Sequence, residues 1–231
     1  LREQGMTATG ELGFKTASML SKNFRFTRWD ILADTSSFFL KNMFREQGDD
    51  PLALKADGVS ANISFKTRKG IFNASQTKQI EFPSNLYYCQ MDKFFWYMDG
   101  STVDMERNKD GLTSFQTDAS GIIPNFYCYD PKFDNEHKIK FKSLNARYDL
   151  KSQTIFCEKV TSLPIGDVNI YPDSNKLTIL KKGAIQPLIN ASIQTENKTH
   201  FFEQCYIDIK DRGTYQARGK YRFTDVDNEI S

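Results

Sequence analysis

The chain has 231 residues, 39% hydrophobic and 13% aromatic, with 31 Lys+Arg against 29 Asp+Glu and a formal net charge of +2. A balance this even lacks the basic excess of a nucleic-acid binder. No window reaches the roughly 18 apolar residues of a membrane-spanning helix; the longest aromatic run, Phe94-Phe95-Trp96-Tyr97-Met98, is far shorter. The length suits one elongated domain or two smaller ones. Its 19 Phe and 10 Tyr favour pleated, half-covered surfaces.

The first residues, Leu1-Arg2-Glu3-Gln4, carry neither an initiator Met nor a signal peptide. The chain is therefore expected to be a segment of a longer precursor, and missing targeting signals do not bear on compartment. Leu12-x-Phe14 and Phe24-x-Phe26 read as two short strands joined around Thr16–Lys22. Ile31 to Met43, with Phe38-Phe39-Leu40, reads as a strand or an irregular edge, and Phe44–Pro51 as a polar loop punctuated by Gly and Pro. Ala61-Asn62-Ile63-Ser64-Phe65-Lys66-Thr67 alternates strictly and turns near Lys69-Gly70 into Ile71-Phe72, which predicts a hairpin. Pro83 ends regular pairing after Phe82, since proline has no ladder donor. Leu86–Gln90 and Phe94–Met98 then form an aromatic centre.

Glu106–Asn135 is rich in Asn, Asp, Gly and Pro and reads as an irregular connection. It divides the chain into a β-rich part (1–105), a connection (106–135) and a regular hairpin part (136–231). Strands in the last part are expected at Ile139-x-Phe141, Ala146–Leu150, Ile155–Val160, Val168–Tyr171, Leu177–Leu180, Ile189–Ile193 and Cys205–Ile209. The last, Tyr215-x-Ala217-x-Gly219-x-Tyr221-x-Phe223, alternates with Gln216, Arg218, Lys220 and Arg222 and predicts a half-buried strand. Strands and short turns at such spacing predict an all-β fold with little helix. Stacked antiparallel hairpins would form a β-taco, jelly roll or antiparallel solenoid-like sandwich.

Two stretches read as copies of one unit. Ala61–Thr67 followed by Ile71-Phe72 matches Ala146–Ser152 followed by Ile155-Phe156, down to a Lys-plus-hydroxyl pair before the turn, and Phe14-Lys15-Thr16 resembles an eroded third copy.

Candidate chemistry is sparse. His137 and His200 lie in polar, turn-like contexts with no activated Ser or Cys beside them. Cys89, Cys128, Cys157 and Cys205 are widely spaced, without C-x-x-C pairs; they read as small buried hydrophobes, with one or two disulfides as the alternative. Asp225-x-Asp227-Asn228-Glu229 gathers hard oxygens but lacks the spacing and glycine of a calcium loop. Asp92, Asp99 and Asp104 accompany Trp96 and Tyr97, and aromatic faces stack on sugar rings. Trp96, Tyr97, Asp92 and Asp99 are therefore the candidate glycan site, with an aromatic core strand followed by a polar turn as the competing explanation. No catalytic residue, metal or cofactor is expected.

Ala146-Arg147-Tyr148-Asp149-Leu150-Lys151-Ser152-Gln153-Thr154-Ile155 resembles the hairpin unit of the organic-solvent-tolerance (OstA-like) lipopolysaccharide-transport proteins. Asp167–Ile179 and Gly213–Tyr221 resemble large envelope repeat proteins of the Bacteroidota. The likeness covers roughly residues 139–225, with a fainter echo in Gly5–Phe26. It implies an extracytoplasmic stack of antiparallel strands, periplasmic or associated with the outer membrane or cell surface. In the transport proteins an apolar groove carries acyl chains; the bulk of Phe and Tyr here departs from that pattern. The expected function is a non-enzymatic envelope module, scaffold or lipid conduit. A carbohydrate-binding or adhesive sandwich is the alternative. Expected partners are other segments of a longer chain or envelope proteins, with lipid or glycan as ligand, and no nucleic acid.

Overall fold

The computed structural model describes residues 5–74, 78–108 and 123–223. They form an all-β, antiparallel fold whose only helical pieces are single 3-10 turns. Among them no helix is long and apolar enough to cross a membrane. The strands are β1 (Met6–Gly13), β2 (Ala17–Phe26), β3 (Asp30–Lys41), β4 (Leu52–Ser64), β5 (Lys69–Asn73), β6 (Ile80–Phe82), β7 (Tyr87–Cys89), β8 (Lys93–Tyr97), β9 (Thr102–Glu106) and β10 (Phe126–Cys128). There follow β11 (Lys140–Phe141), β12 (Asn145–Asp149), β13 (Thr154–Glu158), β14 (Leu163–Ile165), β15 (Val168–Tyr171), β16 (Lys176–Ile179), β17 (Leu188–Thr195), β18 (His200–Ile209) and β19 (Tyr215–Phe223).

The long strands β2, β3 and β4 carry the architecture, because each changes phase halfway. In β4 the inward residues are Leu54 and Ala56, then Val59, Ala61 and Ile63, so the two-residue period slips at Asp57-Gly58. β3 slips at Asp34-Thr35, between Ala33 and Ser36, and β2 at Lys22-Asn23, between Ser21 and Phe24. The β3–β4 register shifts at its slip and β1–β2 shifts between Ala8 and Gly10, whereas β2 and β3 slip together and keep the same register on either side. An extra residue in a strand bends it and sharpens its twist, so bulges aligned across four strands make a corner. Hydroxyls stitch that corner. Thr9 donates to the Lys22 carbonyl (2.5 Å), Ser21 to that of Thr35 (2.7 Å) and Ser36 to that of Val59 (2.9 Å), each reaching a carbonyl of the next strand along the bulge line.

Beyond the corner the far edge of β4 forks. Its second half, Ser60–Ser64, pairs with β5 and leads through β8, β9, β12 and β13 to β16. Its first half, at Lys55-Ala56, pairs with β6 and leads through β7 and β10 to β11. The two arms face one another as a half-barrel: the Phe82 ring of β6 lies 5.1 Å from Tyr148 of β12, and Cys89 Sγ of β7 lies 4.0 Å from Met105 Sδ of β9. Phe38 meets Phe72 at 4.4 Å and Trp96 at 5.4 Å, and Phe72 stacks on Phe94 at 4.4 Å. Each such ring pair adds about 0.5–1.5 kcal/mol to the burial of its apolar area. Side chains fill the space between the arms. A second sheet, β14-β15-β17-β18-β19, continues the core through Leu163, Ile165, Ile170, Ala191 and Ile207.

Several sequence expectations change. Ala17–Lys22, expected in a connection, is strand: Ala17, Met19 and Ser21 point inward, and the pattern is masked because a serine is buried while Leu20 is 50% exposed. Phe65–Thr67, expected to end a strand, forms the β4–β5 turn, and Leu52–Ser60 is strand despite Lys55, Asp57 and Gly58. The connection expected over 106–135 holds β10, which pairs with β7 and β11; its residues 109–122 lie outside the described set. β9 pairs residue for residue with β12, so one sheet runs through both flanking parts of the chain. β19, expected to be half buried, keeps only Tyr215 against the core and is exposed on both faces from Gln216 through Arg222, because it is the edge of its sheet among the described residues.

The two resembling hairpins superpose differently from the sequence match. Ile63 pairs with Gly70 and Tyr148 with Ile155, so both turns span four residues and both end on a left-handed residue, Arg68 (φ 54°) and Gln153 (φ 51°). Equal turns leave Ile71-Phe72 and Ile155-Phe156 one residue out of step. A one-residue offset reverses the face, and accordingly Phe72 is buried while Phe156 is 42% exposed.

Candidate functional site

The four candidate glycan residues do not converge on one surface. Trp96 is 2% exposed, its indole packed edge-on against Phe14 at 5.4 Å, so it offers no free stacking face. Tyr97, next along β8, points to the opposite side, where its hydroxyl donates to Asp104 (3.0 Å); burial and this carboxylate push its pKa up. Asp92 accepts the Asn108 amide (2.7 Å). Asp99 accepts a bidentate pair from Arg68 (Nε 2.5 Å, Nη2 2.7 Å), which holds its carboxyl below the usual range. The competing explanation, a core strand followed by a polar turn, describes this geometry.

Trp96 and Asp99 do share one place. A cavity of about 820 Å³ opens at the end of the half-barrel where the β1–β2 turn, the start of the β3–β4 loop and the β4–β5, β8–β9 and β12–β13 turns come together. Leu40, Trp96 and Leu150 form its floor, and all three are buried. Phe14 and Met98, half buried, form its wall. Met43, Phe44 and Phe65 stand on the rim at 54%, 46% and 41% exposure. Lys15, Lys41 and Lys151 line it as well. None of the three has a carboxylate partner among the described ion pairs, whereas Arg68 is engaged by Asp99.

The β3–β4 loop that supplies Met43 and Phe44 is anchored from beneath. Buried Asn42 donates to Ser84 Oγ and to Gln153 Oε1, and Gln153 Nε2 returns a bond to the Phe44 carbonyl (3.1 Å). Lys181 Nζ reaches Asp49 Oδ2 (2.7 Å), and this bond holds the Asp49 carboxyl below its ordinary value. The rim therefore presents its exposed apolar side chains from a fastened loop.

A second, shallower trough of about 590 Å³ lies on the outer face of the β8–β16 arm. There Arg147 pairs with Asp104 (2.6 Å) and Lys69 sits 4.0 Å over the Phe95 ring. Arg147–Asp104 and Lys176–Glu158 pair across it, as on a solvated sheet face.

The remaining titratable candidates are dispersed. His137 Nδ1 lies 2.7 Å from Asp134, which raises its pKa, and His200 Nδ1 lies 2.8 Å from the Tyr221 hydroxyl. The cysteines are free thiols and all buried; burial pushes Cys89 and Cys157 well above the usual thiol range, away from the thiolate that reacts. Asp225–Glu229 lies outside the described residues.

The rim was missed because its parts are far apart in the chain and each is an ordinary turn. A signal existed: the triplets Phe14-Lys15-Thr16, Phe65-Lys66-Thr67 and Leu150-Lys151-Ser152 that mark the resembling units all fall on turns at this mouth. Comparison with protein-family models, curated proteins and solved structures finds no match to this chain.

Proposed function

We propose that the chain is a non-enzymatic scaffold module of the extracytoplasmic cell envelope. The filled interior carries this reading. Phe38, Phe72, Phe82, Phe94 and Tyr148 occupy the space between the two arms with no exposed surface, where an acyl-chain conduit needs an open trough. The departure in Phe and Tyr content from the OstA-like pattern thus weighs for a scaffold over a conduit. Continuous backbone pairing from β11 to β16 gives such a module its stiffness. The compartment rests on the resemblance of residues 139–225 to envelope repeat proteins.

Two measurements test the reading. Native mass spectrometry of the chain after incubation with a total lipid extract is expected to show bare protein; lipid retained through gas-phase activation would favour the conduit instead. Fractionation of cells producing the full-length protein is expected to place it with the envelope, and recovery from the cytosol would contradict the assignment.

A further inference from the structure

The mouth gathers features that a buried scaffold core does not require. Apolar residues at turn tips are unremarkable singly, but a contiguous exposed patch marks an interaction surface. Met43, Phe44 and Phe65 share the rim, and the Phe65 amide donates to the Trp29 carbonyl (2.8 Å), which brings the half-exposed Trp29 beside them. The charge lining the cavity is mainly cationic, four basic side chains against Asp99. Lys15, Lys41 and Lys151 line the cavity, and exposed Lys66 lies on the same turn as Phe65. Arg28 lies 5.4 Å from the Trp29 ring. Of the carboxylates nearby, Asp99 is paired with Arg68, and Asp49 and Glu46 with Lys181, while Asp30 and Asp149 accept only a hydroxyl or backbone amides and keep their charge.

Aromatic and methionine side chains ringed by unpaired cations are the combination that seats on a bilayer interface. The apolar groups enter the headgroup–acyl boundary while the cations meet anionic lipid. The Phe/Leu-Lys-Ser/Thr triplet supplies both elements at each of its three turns, an apolar residue on the cavity and a lysine beside it. We infer that this end of the half-barrel is a docking tip for the surface of an anionic bilayer, with Trp29, Met43, Phe44 and Phe65 as its insertion points. The inference deepens the envelope-scaffold reading and rests on it for compartment, but its test is independent of that reading's own.

The test is co-sedimentation of the purified chain with vesicles of phosphatidylcholine alone and of an equal mixture of phosphatidylcholine and phosphatidylglycerol. Association is expected with the mixture only, and to weaken as salt is raised. Of the two tryptophans only Trp29 is exposed, so its emission should shift to the blue on binding. Replacing Lys15, Lys41 and Lys151 by Gln should weaken binding about fivefold for each cation, the factor equivalent to about 1 kcal/mol. Phe44→Ser and Phe65→Ser should reduce binding with the lysines intact. The proposal is overturned by no association, by equal association with both vesicles, by an unmoved Trp29 emission, or by rim variants that bind like the parent. Capture of a soluble acidic peptide without vesicle binding would also overturn it, in favour of a protein partner. Any of these results leaves the lipid-retention experiment as it stands.

Discussion

Gly219 shows how one residue fixes a strand pair. A methyl group at this position would press on Cys205 Sγ and lie 2.9 Å from the Glu203 carbonyl, closer than real Cβ contacts come. Cys205 is itself buried, so it cannot swing out. Gly219→Ala should therefore destabilise the chain by about 1–3 kcal/mol, as overpacking does, and Cys205→Ala in the same chain should recover only part of the loss, because the Glu203 carbonyl contact remains. Urea titration of the two variants checks both. His137 makes a smaller contribution of opposite pH sense to a carboxylate. Its folded pKa is raised by Asp134, so the interaction is present below about 6.5, the ordinary histidine value, and fades as pH rises through the folded pKa. In Asp134→Asn the NMR titration of His137 should move back toward the ordinary value.

At the scale of elements, the corner decides the architecture. Strands that ran straight would give one flat sheet with an exposed apolar face. The aligned phase slips in β2, β3 and β4 instead send each strand from one layer to the other. Ser36 is 3% exposed and donates to the Val59 carbonyl, so removing its hydroxyl deletes a buried hydrogen bond of the corner. Ser36→Ala should cost about 0.5–1.5 kcal/mol, measurable as a lower urea midpoint at unchanged m-value. Ser37, the other serine of β3, bonds Asp57 and makes a poor control; Ser18→Ala, half buried on the outer side of β2, should cost less. Most strands were legible where alternation is clean, as at Ala61–Ser64 and Ala146–Asp149. The corner was not, because a phase slip looks like the end of a strand when read along one chain. The pairing of β10 and the exposure of β19 depend on which strand lies alongside, which local sequence does not encode.

The whole molecule is a filled half-barrel extended by a second sheet, and its interior sets how it responds to base. Burial raises the pKa of the Cys89 and Cys157 thiols and of the Tyr87 and Tyr148 hydroxyls. A group whose folded pKa is raised stabilises fully below its unfolded pKa and loses that stabilisation as pH climbs through the folded value. Melting temperature should therefore fall as pH passes about 8.5 and fall further past about 10, the unfolded thiol and phenol values. A flat profile across that range would show that these groups are in contact with water. The candidate site was legible only in fragments: Trp96 and Asp99 were singled out for glycan chemistry, yet their common place is the floor and rim of a mouth assembled from five distant segments.

Filling of the half-barrel is tested most directly by the Trp96 indole, buried at the floor of its open end. In a Trp29→Phe variant, Trp96 is the sole tryptophan. Its emission should be blue-shifted and resist quenching by acrylamide until the protein unfolds. Red-shifted emission quenched as freely as that of the denatured chain would mean an open interior, and the filled half-barrel would be contradicted.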